Sequence, residues 1–392
     1  MSGLLAGLLL RRAGLDVHVY ERVESALAGR GAGIVAQPEL IDTLRGFGVD
    51  PTDLGVQITT RKIYDAAGHL TNMFECPQVL TAWERVYRCL RDLFPPERYH
   101  RGCGLARFAQ DSHAVTAHFT DGSTAVADLL VGADGLRSTV RQQCLPEVVP
   151  LYAGYVAWRA LIAEEAIPPA IHRELFMSMS FCLPPGEQFL GYPVAGPNND
   201  LRPDHRRYNV VWYRPADERS KLAWLLTDES GTTHAISIPP PLIRRAAIAD
   251  MRHDAERLIA PQMRAIVRLI DEPILQPIYD LITPRMAIGR VALMGDAACV
   301  ARPHVAAGVA KAVDDAAALA EALSRSDDVE AALTAFETKR LPVARRIIER
   351  ARHLGAYLQA SKETEEEVAN SARYSIPEAV LQETAVLDFL YA

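Results

Sequence analysis

Three acidic residues, far apart in the chain, stand in the same local setting: at the end of a short apolar strand and beside a glycine turn or a helix start. Glu21 closes a strand over 16–20, after a small-residue helix over 3–13 and the cap-like Gly14. Asp134 follows Leu129-Leu130-Val131 within Gly132-Ala133-Asp134-Gly135, and Asp296 follows Val291-Ala292-Leu293-Met294 within Gly295-Asp296-Ala297-Ala298. One acid so placed is more often structural than functional. Three of them restrict the chain to an α/β nucleotide-binding frame holding a ligand too long for one strand–helix–strand unit. In such a unit, a carboxylate at the carboxyl end of the second strand accepts hydrogen bonds from ribose hydroxyls.

That frame is interrupted. A chain of 392 residues suits two or three domains, or one large domain with an inserted second. Over 151–283 the texture changes to short aromatic strands (155–161, 189–193, 208–213) and Pro/Gly/Asn/Asp-rich loops, with a helix-rich stretch over 242–270. After Pro284 the first texture returns. The expected division is a discontinuous nucleotide domain (1–150 and 284–350), a substrate domain (151–283) and a C-terminal helix and tail (351–392). The fold class is α/β: a Rossmann-like domain carrying an inserted α+β layer on an antiparallel sheet. Smaller features are a helix over 82–94 ending at Pro95-Pro96, a hairpin turning at Asp121-Gly122, and two helices over 328–340 and 343–360. The tail beyond 361 carries no assignment.

Composition excludes other classes. Apolar residues make up 49% and charged residues 23%, which is ordinary globular usage. The net charge of −7, with scattered cations, gives no footprint for nucleic acid. The six cysteines (Cys76, Cys89, Cys103, Cys144, Cys182, Cys299) form no CxxC pair, so no metal is expected and a reducing cytoplasm is. No apolar run reaches ~18 residues, so no membrane span is expected. The chain opens inside the first glycine turn, with Ser2-Gly3 where the last glycine of G-x-G-x-x-G belongs. Either the true start lies upstream or the central strand has been lost. The first is preferred, since the second would leave two sheet edges unpaired.

Two loops complete the pattern. Gly29-Arg30-Gly31-Ala32-Gly33-Ile34 leads to Gln37-Pro38 and a helix to about Gly46. Arg302-Pro303-His304-Val305-Ala306-Ala307-Gly308 opens an Ala-rich helix, whose free N–H groups suit an anionic centre such as the N1 side of a reduced flavin.

Glu21, Gly132-Ala133-Asp134-Gly135, and Gly295-Asp296-Ala297-Ala298 with Pro303 and Gly308 together resemble the group A FAD-dependent aromatic hydroxylases, the para-hydroxybenzoate hydroxylase class. Gly33-Ile34-Val35, Trp158-Arg159 and Arg302-Pro303-His304 are similar to the branch acting on dihydroxypyridines. The resemblance covers residues 2 to about 350 and implies a GR2-type Rossmann-like FAD domain. By it, Gly3 matches the last glycine of the dinucleotide turn, and Glu21, with Arg22 beside it, the ribose-binding acid. Gln37 lies in the loop passing the flavin, and Arg85 falls near the cofactor diphosphate. Asp134 belongs to the motif linked to FAD and NADPH, Asp296 matches the ribityl-binding acid, and Pro303, Ala306, Ala307 and Gly308 lie in the loop under the ring. Cys299 stands where many relatives have His, and Val309 and Ala310 replace a small residue and Asn.

The implied activity is ring hydroxylation with FAD, NADPH or NADH, and O2, through a C4a-hydroperoxyflavin, on an electron-rich phenol or N-heterocycle. His304 is the expected catalytic residue, a base titrating near neutral pH. Tyr192 and Trp212 are the expected substrate contacts, and an aromatic-rich sheet is compatible with a homodimer. Two alternatives stand beside this reading: a same-fold FAD reductase or dehydrogenase without oxygenation, and a truncated, flavin-free binding protein.

Overall fold

The computed structural model describes residues 1–25 and 33–390, so positions 29–32 of the first glycine loop lie outside the described residues. The helix Ser2–Arg12 buries leucines and small residues, and Gly14 at φ +91 turns the chain out of it. Gly7 is required there, because a Cβ would come within 2.7 Å of the Phe94 ring. Val19–Glu21 pairs in parallel with Tyr99–Arg101. Leu130–Gly132 pairs in parallel with Val291–Leu293, which turns back on Ala287–Ile288. The Asp121-Gly122 turn joins Val115–Phe119 to Thr124–Ala127 as expected. These pieces and the helices Pro38–Gly46, Trp83–Leu93 and Gly308–Ser324 share one core, built on Leu5, Leu40, Leu90, Phe94, Leu293 and Leu319. The frame is a Rossmann-like α/β domain.

The second layer is one nine-stranded sheet. Its strand order is Cys299–Val300, Ile274–Ile282, Leu151–Ala163, Arg207–Pro215, Gln188–Val194, Met179–Cys182, Val56–Tyr64, Leu70–Ala82 and Gly33–Val35. All neighbours are antiparallel except Met179–Cys182 against Val56–Tyr64. The antiparallel sheet expected from 151–283 is therefore present, but it takes three strands from residues 33–82 as well.

Alternation along the strands gives the sheet two unlike faces. On the outer face Trp158, Phe189, Tyr208 and Trp212 pack on the helices Arg245–Leu258 and Pro261–Arg268. On the inner face Tyr155, Tyr192, Val211 and Tyr213 share a core with Val305 and Ala307 of the second glycine loop. The C-terminal tail closes this inner core with Tyr374, Val380, Leu381 and Leu387.

One expectation is corrected. The helices expected over 328–340 and 343–360 are one, Val329–Gly355, running through Pro342. Proline removes one hydrogen bond there. Both Pro342 and Thr338, whose carbonyl loses its donor, are solvent-exposed, so water can replace it. The unassigned tail folds into Glu365–Tyr374, with a Thr364/Glu367 capping box, and Pro377–Glu383. Among the described residues no helix is long and apolar enough to cross a membrane.

Candidate active site

The strand ends converge on the first turn of Ser2–Arg12. A Cβ on Gly3 would lie 3.7 Å from Ala133 and 3.9 Å from Val19, while Gly295, at φ +58, abuts Ser2. Burial pushes the Met1 ammonium down, and Glu21 and Asp296 both act against that shift, so the two acids flank this helix start. The Glu21 Oε1 accepts from the Val23 N–H at 2.9 Å, and Arg22 is exposed.

Asp296 keeps its carboxylate 54% exposed, above the buried Lys311, whose Nζ lies 3.5 Å away and donates to the Cys299 carbonyl at 2.6 Å. Burial pulls the Lys311 ammonium down, but Asp296, Cys299 and Asp315 outweigh it and hold it charged. Asp315 fixes the turn itself, accepting from the Gly295 N–H at 3.0 Å and from Arg340 at 2.7 Å.

Asp134 is solvent-exposed, and its carboxylate also organises the turn that follows. One carboxylate oxygen accepts from the Ser138 hydroxyl at 2.5 Å, the other from the N–H groups of Thr139 and Val140 at 2.7 and 3.2 Å. It ties down the start of the helix Thr139–Cys144, whose N-cap is Ser138, while its carboxylate stays open to solvent.

The second glycine loop is held from below. Arg302 is buried against Asp280 (3.0 Å) and Gln359 (2.8 Å), and Pro303–Val305 makes one tight turn. Ala306 takes φ +50, a left-handed conformation that costs an alanine about 1 kcal/mol. Gly308 then opens the helix Gly308–Ser324, whose start has no side-chain cap, and a Cβ at Gly308 would meet nothing. Two uncapped helix starts, one flanked by paired acids and one facing open space, fit FAD. The first suits its diphosphate and sugar hydroxyls, the second the side of its ring that becomes anionic on reduction.

His304 is corrected as a base. It is buried, and burial followed by the nearby Arg302 pushes its imidazole down to about 3. It is held neutral, with Nε2 2.9 Å from the Tyr155 hydroxyl and its ring 4.4 Å from that of Tyr213. Trp212 is corrected as a substrate contact. It lies on the outer face, donating to Glu187 at 2.8 Å. Burial pushes the Glu187 carboxyl up despite Arg214 and Trp212. Tyr192 is on the inner face, where its hydroxyl donates to the Gly33 carbonyl at 2.9 Å and burial raises it to about 12.

Gln37 donates to the Ala385 carbonyl at 3.4 Å. Arg85 lines a cleft of about 470 Å³ with Asp53 and the loop 197–202. Its Nε is buried without a hydrogen-bond partner among the described residues. Inner-face donors share that condition: Arg159 Nε, Gln188 Nε2 and Asn209 Nδ2. Arg159 also acts electrostatically on both Tyr192 and Tyr213. The sequence gives Arg159 only as part of a stretch carrying the resemblance, and assigns no role to Gln188, Asn209, Lys311, Asp315 or Arg61. Lys311 alone left a local signal, as a lysine on the apolar face of an Ala-rich helix.

Two family models match the chain, described as "FAD binding domain-like" over residues 152–280 and "FAD binding domain" over residues 270–351. The 2,6-dihydroxypyridine 3-monooxygenase of Paenarthrobacter nicotinovorans is 34% identical over 92% of this chain and 89% of its own length. The 3-amino-4-hydroxybenzoate 2-monooxygenase of Streptomyces cremeus is 30% identical over 90% of this chain and 84% of its own. Among solved structures, the 2,6-dihydroxypyridine-3-hydroxylase from Arthrobacter nicotinovorans superposes with a TM-score of 0.86 at 34% identity, covering 93% of this chain and 92% of that one. Klebsiella pneumoniae HpxO complexed with FAD and uric acid superposes at 0.74 with 23% identity, covering 98% and 91%. The chain therefore belongs to the FAD-dependent aromatic-ring monooxygenases, the group A aromatic hydroxylases.

Proposed function

We propose that this protein hydroxylates an electron-rich N-heterocyclic or aromatic ring bearing hydroxyl or lactam oxygens, such as a dihydroxypyridine, using NADPH or NADH and O2. The observation that carries the substrate class is the inner sheet face. Three buried N–H donors there, on Arg159, Gln188 and Asn209, have no partner among the described residues, and a ligand rich in acceptor oxygens satisfies them. The chemistry FAD supplies when bound is reduction by the nicotinamide and transfer of one oxygen atom from O2 to a ring carbon.

The chain binds, orients and excludes water. Gly3, Glu21 and Asp296 hold the nucleotide and sugar, Gln37 and the loop from Pro303 to Gly308 hold the ring system, and Arg85 serves the diphosphate side. His304 acts as a neutral hydrogen-bonding group rather than a titrating base. Its Nε2 shares a proton with the Tyr155 hydroxyl, which burial raises well above its ordinary value, so neither ionises in the working pH range. Such a pair can orient a substrate hydroxyl without competing for its proton. Arg159 supplies the fixed positive charge that favours a substrate oxyanion.

We further propose that FAD binding rests on 1–150 and 284–350, that substrate binding rests on 151–283 with the strands of 33–82, and that the assembly is a homodimer. The six cysteines are all free, which fits a cytoplasmic setting.

The test is NADH oxidation by the flavin-loaded protein with 2,6-dihydroxypyridine present. The expected result is substrate-stimulated oxidation, O2 uptake and a hydroxylated product. Oxidation without oxygen incorporation would overturn the reading in favour of a reductase. His304→Asn is expected to divert a larger share of NADH to hydrogen peroxide, because it removes the partner of Tyr155.

A further inference from the structure

The buried guanidinium of Arg61 is the starting point. Arg61 is fully buried in the strand Val56–Tyr64, and burial lowers its pKa. All of its hydrogen bonds among the described residues go to neutral oxygens: the Gln78 side chain (2.8 and 3.2 Å) and the carbonyls of Leu381 and Thr384 (both 2.7 Å). Burying an unpaired cation costs several kcal/mol, so packing alone would favour an apolar residue here. What the cation contributes is direction. It grips the carbonyl end of the helix Pro377–Glu383, where the helix dipole is negative.

The next residue is bound on both sides. Ala385, at φ +57, donates its N–H to the His304 carbonyl at 2.7 Å. Its own carbonyl accepts from Gln37 and Gln78, each at 3.4 Å. Gln37 and His304 lie on the two loops assigned to the flavin ring, so Ala385 is the point at which the tail joins them. Leu381 and Leu387 pack into the same apolar cluster as Val305 and Ala307.

We infer that the C-terminal segment from Pro377 to Leu387 is a positioning strap for the flavin-facing loops, with Arg61 as the positioning residue that anchors it. The inference rests on the proposed function in taking those loops to face FAD. Loss of the anchor frees Ala385, and with it the His304 carbonyl and the Gln37 side chain. A strap serving only to cover the core would loosen without changing either loop.

The test uses the full chain with Arg61→Met, Arg61→Lys and Ala385→Pro. The last removes the N–H that His304 accepts and forbids φ +57, while leaving Arg61 and its partners in place. Amide hydrogen exchange is read over 302–308 and 378–390, with and without added FAD, and FAD affinity is read by fluorescence titration. Arg61→Met is expected to speed exchange in both segments and to weaken FAD binding about tenfold, ~1.4 kcal/mol, with the strand Arg207–Pro215 still protected. Ala385→Pro is expected to do the same over 302–308, and Arg61→Lys to restore most of the protection. Faster exchange confined to 378–390, with 302–308 and FAD affinity unchanged, would overturn the inference. If Arg61→Met does not fold, Ala385→Pro decides it alone. An unaltered chain that takes up no FAD would count against the proposed function, and the exchange comparison would still decide the strap.

Discussion

The two faces of the nine-stranded sheet carry similar aromatic residues in alternation along the same strands, yet they do different work. Trp212 and Tyr213 are neighbours on one strand. The first is sealed under two helices with Glu187 as its acceptor; the second lies against His304 beside the second glycine loop. On the outer face Arg214 and Trp212 both donate to Glu187, and Arg214 reaches Asp254 at 2.8 Å. The inner face leaves donors open. Between these two faces, the open donors on Arg159, Gln188 and Asn209, more than aromatic content, mark the side suited to a ligand.

The largest expected effect sharpens that contrast. Trp212→Ala is expected to cost ~3–5 kcal/mol of stability by urea unfolding, since it opens a cavity and deprives Glu187 of a donor, while FAD affinity by fluorescence titration stays unchanged. A parallel fall in FAD affinity would break the distinction between the faces.

Next comes His304, whose folded pKa of about 3 lies below its ordinary 6.5. The unfolded state therefore binds the proton more readily. The stabilising contribution of the neutral ring is full above pH 6.5 and is lost as pH falls from there towards 3. In that window stability should decline with a slope approaching ~1.4 kcal/mol per pH unit, and His304→Gln should flatten it in denaturation curves taken across pH. The smallest effect belongs to Tyr192→Phe. It removes the bond to the Gly33 carbonyl for about 1 kcal/mol, and shows in the unfolding midpoint with little change in its slope.

Much of the cofactor frame was legible because its signals are local. A strand, an acid and a glycine turn lie within a few residues at Glu21, Asp134 and Asp296, and the structure gathers two of these acids at one helix start. Asp134 has a second local use, since its carboxylate also accepts from the Ser138 hydroxyl and from the first N–H groups of the helix Thr139–Cys144. Alternation in 208–213 showed that aromatic residues divide between two faces, but which face meets the glycine loop depends on where the helices Arg245–Leu258 and Pro261–Arg268 dock, and no strand encodes that. The pKa of His304 depends on burial and on Arg302, itself placed by Asp280 22 positions away. The hairpin Val56–Tyr64/Leu70–Ala82 went unread because Leu70 and Met73 on its exposed side blur the alternation, and its pairing is completed by the distant strand Met179–Cys182.

Arg61 and its acceptors on the tail are separated by 320 and 323 positions. At ~5–20 residues per second of synthesis, that gap amounts to tens of seconds. Throughout that interval the guanidinium lacks two of its three acceptors, so the strand around it stays hydrated there. The wall that the tail adds to the inner face closes only once Pro377–Glu383 has been made, and a nascent chain stalled before residue 381 would leave the Arg61 guanidinium without its carbonyl acceptors.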